Sequence, residues 1–127
     1  MKPSGYLQRP DYRVDLLRRR NHFRAEAAGK LLADSNATII VDEQDHALVV
    51  YFPRDAVVFD DLVAIEGKTS HCPYKGDACY WAAAEAPEVP IAWSYEAPYA
   101  EVATIRDFVA FYADRVTVSM GAADPAK

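Results

Sequence analysis

The stretch Ala37-Thr38-Ile39-Ile40-Val41-Asp42-Glu43, then Gln44-Asp45-His46, then Ala47-Leu48-Val49-Val50-Tyr51-Phe52, decides the fold. Two runs rich in branched and aromatic residues flank a short polar link. That pattern predicts paired strands, because such side chains pack well on a pleated surface. Pro53-Arg54-Asp55 stops the second run, since proline lacks the N–H that a ladder needs. Upstream, 22–27 and 30–34 flank Ala28-Gly29, where glycine can take the positive φ of a tight hairpin turn. Two consecutive hairpins therefore predict a mainly β, antiparallel domain.

The pattern continues outward. Residues 78–85 and 91–95 read as a further pair of strands around a turn containing Pro87 and Pro90. Trp93 and Tyr95 are two apart, so on a strand they share a face. Residues 59–69 are less regular. From Glu101 onward, Val102, Ile105, Phe108 or Val109, and Tyr112 fit helical spacing, while 108–112 fits a strand equally well. Residues 116–120 are short, apolar and β-branched. The polar residues 1–11, with Pro3, Gly5 and Pro10, form an N-terminal arm; 12–120 form a single β-rich domain with one or two short helices; 121–127 form a flexible tail.

Size and charge set the bounds. A chain of 127 residues fits one domain with one core. A net charge of −5 argues against nucleic-acid binding, which needs cations to replace the counterions around phosphates. Arg18, Arg20, His22 and Arg24 would share one face of an extended chain, and that face is first of all a solvated one. No apolar run approaches the roughly 20 residues of a membrane span, and residues 1–10 lack a signal-peptide core, so a cytoplasmic protein without membrane contact is expected. With only Cys72 and Cys79, the expectation is free thiols and no zinc, because structural zinc normally takes four ligands.

The segment Ser70-His71-Cys72-Pro73-Tyr74-Lys75-Gly76-Asp77-Ala78-Cys79-Tyr80-Trp81 is the densest in chemistry. Pro73 and Gly76 suit a turn that curls Lys75 back toward Cys72, where its positive charge would favour the reactive thiolate. Cys72 and Lys75 are thus the catalytic candidates, against the plainer reading of a packed thiol and a solvated turn lysine. His71 is a weak helper, since neighbouring side chains on extended backbone diverge. Cys79 reads as a small core residue.

The aromatic residues give a second reading. Tyr80 or Trp81, Trp93, Tyr95 and Tyr112 could line a concave pocket beside Tyr74 and Gly76 of the turn, or simply form a core. Arg54 and Lys75 could meet an anionic part of a ligand. Glu43 and Tyr51 fall at neighbouring strand ends and could share the pocket rim. Asp34 and Ser35 read as turn-bonding residues.

Several of these motifs occur together in one family. Ala33-Asp34-Ser35, Glu43, Tyr51-Phe52-Pro53-Arg54-Asp55, Cys72-Pro73-Tyr74-Lys75-Gly76, Tyr80-Trp81, Ala92-Trp93-Ser94-Tyr95 with Pro98, and Phe111-Tyr112 resemble the domain of unknown function 427 family, catalogued as nucleotidyltransferase-like. The resemblance runs from about Arg24 to Val118. It implies a small β fold of the tent-like kind, similar in outline to the methionine-R-sulfoxide reductases and the cereblon ligand-binding domain, and it brings no established activity; the expected architecture is thus a tent-like or barrel-like antiparallel sheet. Many tent-like relatives hold zinc with four thiolates, which two cysteines cannot supply. Nucleotidyl transfer needs positioned carboxylates for magnesium; Asp60-Asp61 is the nearest candidate, with no glycine-rich phosphate loop nearby. Three readings remain open at this point. They are a small-molecule-binding domain acting on a nucleotide-like or amide-like ligand, an interaction or homodimerisation module, and a thiol enzyme using Cys72.

Overall fold

The computed structural model describes residues 2–123. Eleven strands form two antiparallel sheets: β1 (Val14–Arg18), β2 (Asn21–Ala27), β3 (Lys30–Ser35), β4 (Ile39–Glu43), β5 (Val49–Phe52), β6 (Leu62–Ala64), β7 (Ser70–Cys72), β8 (Gly76–Ala83), β9 (Pro90–Tyr95), β10 (Val109–Phe111) and β11 (Thr117–Ala123). The larger sheet runs β1-β4-β5-β10-β9-β8-β6, with β7 also on β8; the smaller is β11-β2-β3. The larger sheet is open, with β1 and β6 at its two ends, so the fold is not a closed barrel.

Strict alternation gives the central strands two apolar faces. On β5, Phe52 and Val50 point toward the smaller sheet and pack with Phe23, Leu32, Val109, Phe111 and Val116. Tyr51 and Val49 point the other way, into a second cluster with Ile39, Val41, Tyr80, Tyr95 and Ala110. The register lines up one row across this second face, because Tyr51 pairs with Ala110, Ala110 with Trp93, and Trp93 with Tyr80.

The two predicted hairpins are present, and in the β2–β3 turn Ala28 takes a positive φ along with Gly29. The helical spacing after Glu101 resolves differently in its two halves. Ala100–Ile105 forms a short 3₁₀ segment that buries Val102 and Ile105, residues three apart on a three-per-turn helix. Asp107, at φ 65°, then breaks the segment, and β10 follows as a central strand. The other helical pieces are 3₁₀ turns at Gly5–Leu7, Arg54–Ala56 and Phe59–Asp61. At the C-terminus, β11 extends past Gly121, where the sequence placed a tail; a register shift between Met120 and Ala123 lets it keep pairing with β2. The remainder of that tail, 124–127, lies outside the described residues. Among the described residues no helix is long and apolar enough to cross a membrane.

Candidate functional site

The site lies on the face of the larger sheet that turns away from the smaller one. A cavity of about 620 Å³ opens there, walled by Tyr51, Tyr80, Trp93, Tyr95 and Tyr112, with Glu43, Cys72 and Lys75 at one end. The Tyr51-Trp93-Tyr80 row supplies the floor. Trp93 meets Tyr51 edge to face at 6.2 Å and Tyr112 at 4.8 Å, and its indole N–H donates to the Tyr51 hydroxyl at 3.1 Å.

The β7–β8 turn places the charged end. Cys72 pairs with Gly76 across it, and Gly76 sits at φ 125°, a conformation that side-chain-bearing residues rarely adopt. Lys75 is directed inward and is only 7% exposed, so it is not a solvated turn residue. Its Nζ donates to Glu43 Oε1 and lies 3.9 Å from Cys72 Sγ. Glu43, equally buried, also accepts from the Tyr12 hydroxyl through Oε2, and His46 Nε2 is 3.6 Å from that oxygen. Burial pushes the Glu43 carboxyl up. The Lys75 and Tyr12 hydrogen bonds and the Lys75 and His46 charges outweigh that, leaving its pKa below the ordinary value.

The arm closes this end. Gly5 N–H donates to the Pro73 carbonyl at 2.8 Å, and Tyr6 donates to the Tyr74 carbonyl at 3.1 Å. Tyr12 stacks on Tyr74 with ring centres 3.6 Å apart. A Cβ on Gly5 would come within 2.7 Å of the Tyr74 ring, so the close approach requires glycine. Tyr99 donates to the Lys2 carbonyl at 2.6 Å and also contacts His71 Nε2 at 3.3 Å, while His71 Nδ1 lies 2.7 Å from Asp77 Oδ1.

Of the residues singled out from sequence, the cavity brings together Glu43, Tyr51, His71, Cys72, Tyr74, Lys75, Tyr80, Trp93, Tyr95 and Tyr112. Gly76 shapes the turn without lining the space. Arg54 is elsewhere. Its guanidinium binds the Asp107 carbonyl, Glu96 and Ser94 and lies 5.0 Å over the Trp81 ring, because Pro53 ends β5 beyond Phe52 and sends Arg54 to the opposite face. Trp81, on the same opposite face, packs with Phe59. Cys79 approaches the Ser94 carbonyl at 3.5 Å, and burial raises its thiol. Both cysteines are free. Tyr12 and His46 were not singled out from sequence, and no local motif marks them.

Asp60 and Asp61 occupy a 3₁₀ turn, where Lys30 lies 3.6 Å from Asp61, and neither lines the cavity. Among the described residues, no three His, Cys, Asp or Glu side chains are grouped to hold a metal ion.

The two stacked sheets and their one-sided aromatic cavity define a small antiparallel β domain built around a buried lysine–glutamate pair. The chain belongs to the family described as Domain of unknown function (DUF427), whose model matches residues 3–121. No curated protein matches it.

Proposed function

We propose that this domain binds a small planar molecule in the cavity between Trp93 and the Cys72–Gly76 turn. The observation that carries the reading is the cavity itself. Its volume of about 620 Å³ falls in the range of small-molecule sites, about 300–1,000 Å³, and it joins aromatic walls to a few placed polar groups. A ring can stack on Trp93 and Tyr112 while its polar edge meets the end held by Lys75 and Glu43. The free thiols support a cytoplasmic setting.

The test compares thermal unfolding of the wild-type protein with that of Ala47→Trp. Ala47 is exposed at the cavity mouth, so a bulky ring there blocks entry without touching the core. The panel is nucleotides with and without magnesium, nucleobases and aromatic amides. At a hundredfold excess over its dissociation constant a ligand stabilises the native state by about 2.7 kcal/mol, and Ala47→Trp is expected to remove that gain. No response to any compound would shift the weight to a protein-interaction or homodimerisation module.

The 3.9 Å approach of Lys75 Nζ to Cys72 Sγ favours a second reading, a thiol-dependent enzyme at the same place. It predicts that iodoacetamide at pH 7 alkylates Cys72 well ahead of Cys79 and faster than free cysteine. Alkylation of Cys72 no faster than free cysteine would sink the thiol enzyme and leave the binding reading intact.

A further inference from the structure

Two phenolic protons in the cavity have no protein acceptor among the described residues. Tyr51 is 2% exposed, and its oxygen already accepts from the Trp93 indole. An indole N–H can only donate, so the Tyr51 O–H must find its own acceptor, and none is present among the described residues. Tyr95 is 8% exposed and lines the same cavity, and its hydroxyl has no hydrogen-bond partner among the described residues. Both hydroxyls border the cavity, so an acceptor on a bound molecule would take the place that water otherwise fills. Both side chains rise from one face, because Trp93 aligns with Tyr51 through Ala110 and Tyr95 lies two residues further along β9.

The neighbouring polar groups are already engaged. Glu43 holds Lys75 and Tyr12, Tyr80 is hydrogen-bonded to Ser70, and His71 lies between Asp77 and Tyr99. What the buried tyrosines of the cavity offer a ligand is therefore a pair of O–H donors, with Tyr112 nearer its rim. A carbonyl oxygen, with two lone pairs, can accept both.

We propose that Tyr51 and Tyr95 donate jointly to the carbonyl oxygen of a neutral planar ligand, an inference that rests on the cavity being a ligand site. Neutrality follows from charge. The Lys75 ammonium is matched by the Glu43 carboxylate, so an anionic ligand would bring an uncompensated charge into the cavity or pull Lys75 from its partner. Aromatic walls take the flat part of the molecule, and the two phenols fix where its oxygen points.

Three matched probes test this: acetophenone, which carries a neutral carbonyl; ethylbenzene, which replaces it with methylene; and benzoate, which is anionic. Binding is followed by the Trp93 indole N–H resonance in titrations of the wild-type, Tyr95→Phe and Tyr51→Phe proteins. The expected result is about tenfold tighter binding of acetophenone than of ethylbenzene in the wild type, falling to within about twofold in each variant. Tyr95→Phe should unfold at the same denaturant concentration as wild type or a higher one, since it deletes a hydroxyl without a partner. Equal binding of acetophenone and ethylbenzene by the wild type, both blocked by Ala47→Trp, would overturn the carbonyl assignment while sustaining the cavity as a binding site. Tightest binding of benzoate would overturn the neutral class. Failure of all three probes to move the indole resonance would overturn the assignment and the site reading together.

Discussion

Glu43→Gln is expected to lower the free energy of unfolding by about 3 kcal/mol at pH 7, measured by urea denaturation. The loss comes from what remains. Lys75 stays buried with its ammonium facing a neutral amide, and removing one partner of a buried ion pair typically costs about 3–5 kcal/mol. The lower end applies because the pair borders a cavity that water can reach. Lys75→Met in the same background removes the stranded charge, so the double variant should recover most of the loss. A double variant as unstable as Glu43→Gln alone would show that the pair is not the source of the effect.

The pH dependence carries a definite sign. The Glu43 carboxyl has a folded-state pKa below its ordinary value of 4.5, so the native state binds this proton less readily than the unfolded chain. Its contribution is fully present above that unfolded value and fades as pH falls through the lowered folded value. The stability gap between wild type and Glu43→Gln should therefore be constant above about pH 5.5 and close progressively in acid, beginning below about pH 5.

Phe52→Ala should cost about 3–5 kcal/mol, the usual range for truncating a fully buried phenylalanine. Phe52 has no exposed surface and meets Phe111 edge to face at 5.7 Å, at the junction of the two sheets. Against a typical total of 5–15 kcal/mol, this single change removes a large share of stability. Phe52→Leu, which keeps most of the volume, should cost much less, and equal losses from the two substitutions would argue against a cavity penalty. Tyr51, the adjacent residue, faces the other way. Tyr51→Phe should cost only about 1 kcal/mol, for the Trp93 indole N–H it leaves without its acceptor, so neighbouring positions on one strand separate core packing from the site.

Much of the scaffold was legible for local reasons. The strand pairs around Ala28-Gly29 and Gln44-Asp45-His46 carry their own alternation and their own turn residues, as do β8 and β9. The segment after Glu101 was ambiguous because a short 3₁₀ turn and a following central strand both present apolar residues about three apart. Only the break at Asp107 separates them, and although aspartate takes positive φ more readily than most residues, one aspartate does not mark a break by itself. The short edge strand β6 gave no repeat long enough to read.

The site divides the same way. The curl of Lys75 toward Cys72 was readable from Pro73 and Gly76, since both lie in one turn. That Lys75 meets Glu43, 32 positions earlier, was not, and neither was the Tyr12 contact with the same carboxylate. Each depends on how β4, the β7–β8 turn and the arm come together in space. Arg54 looked like an anion binder because charge at a strand end resembles a site; its three hydrogen bonds to Asp107, Glu96 and Ser94 instead clamp the far face.

The arm's seat on Tyr74 has a practical consequence for anyone who makes this protein. Lys2 and Gly5 are tied by backbone atoms to Tyr99 and Pro73, a few residues from the buried carboxylate that Tyr12 helps to hold. A purification tag fused ahead of this segment, or a protease nick within it, would therefore alter the cavity's rim, and assays on differently tagged preparations would report on different entrances.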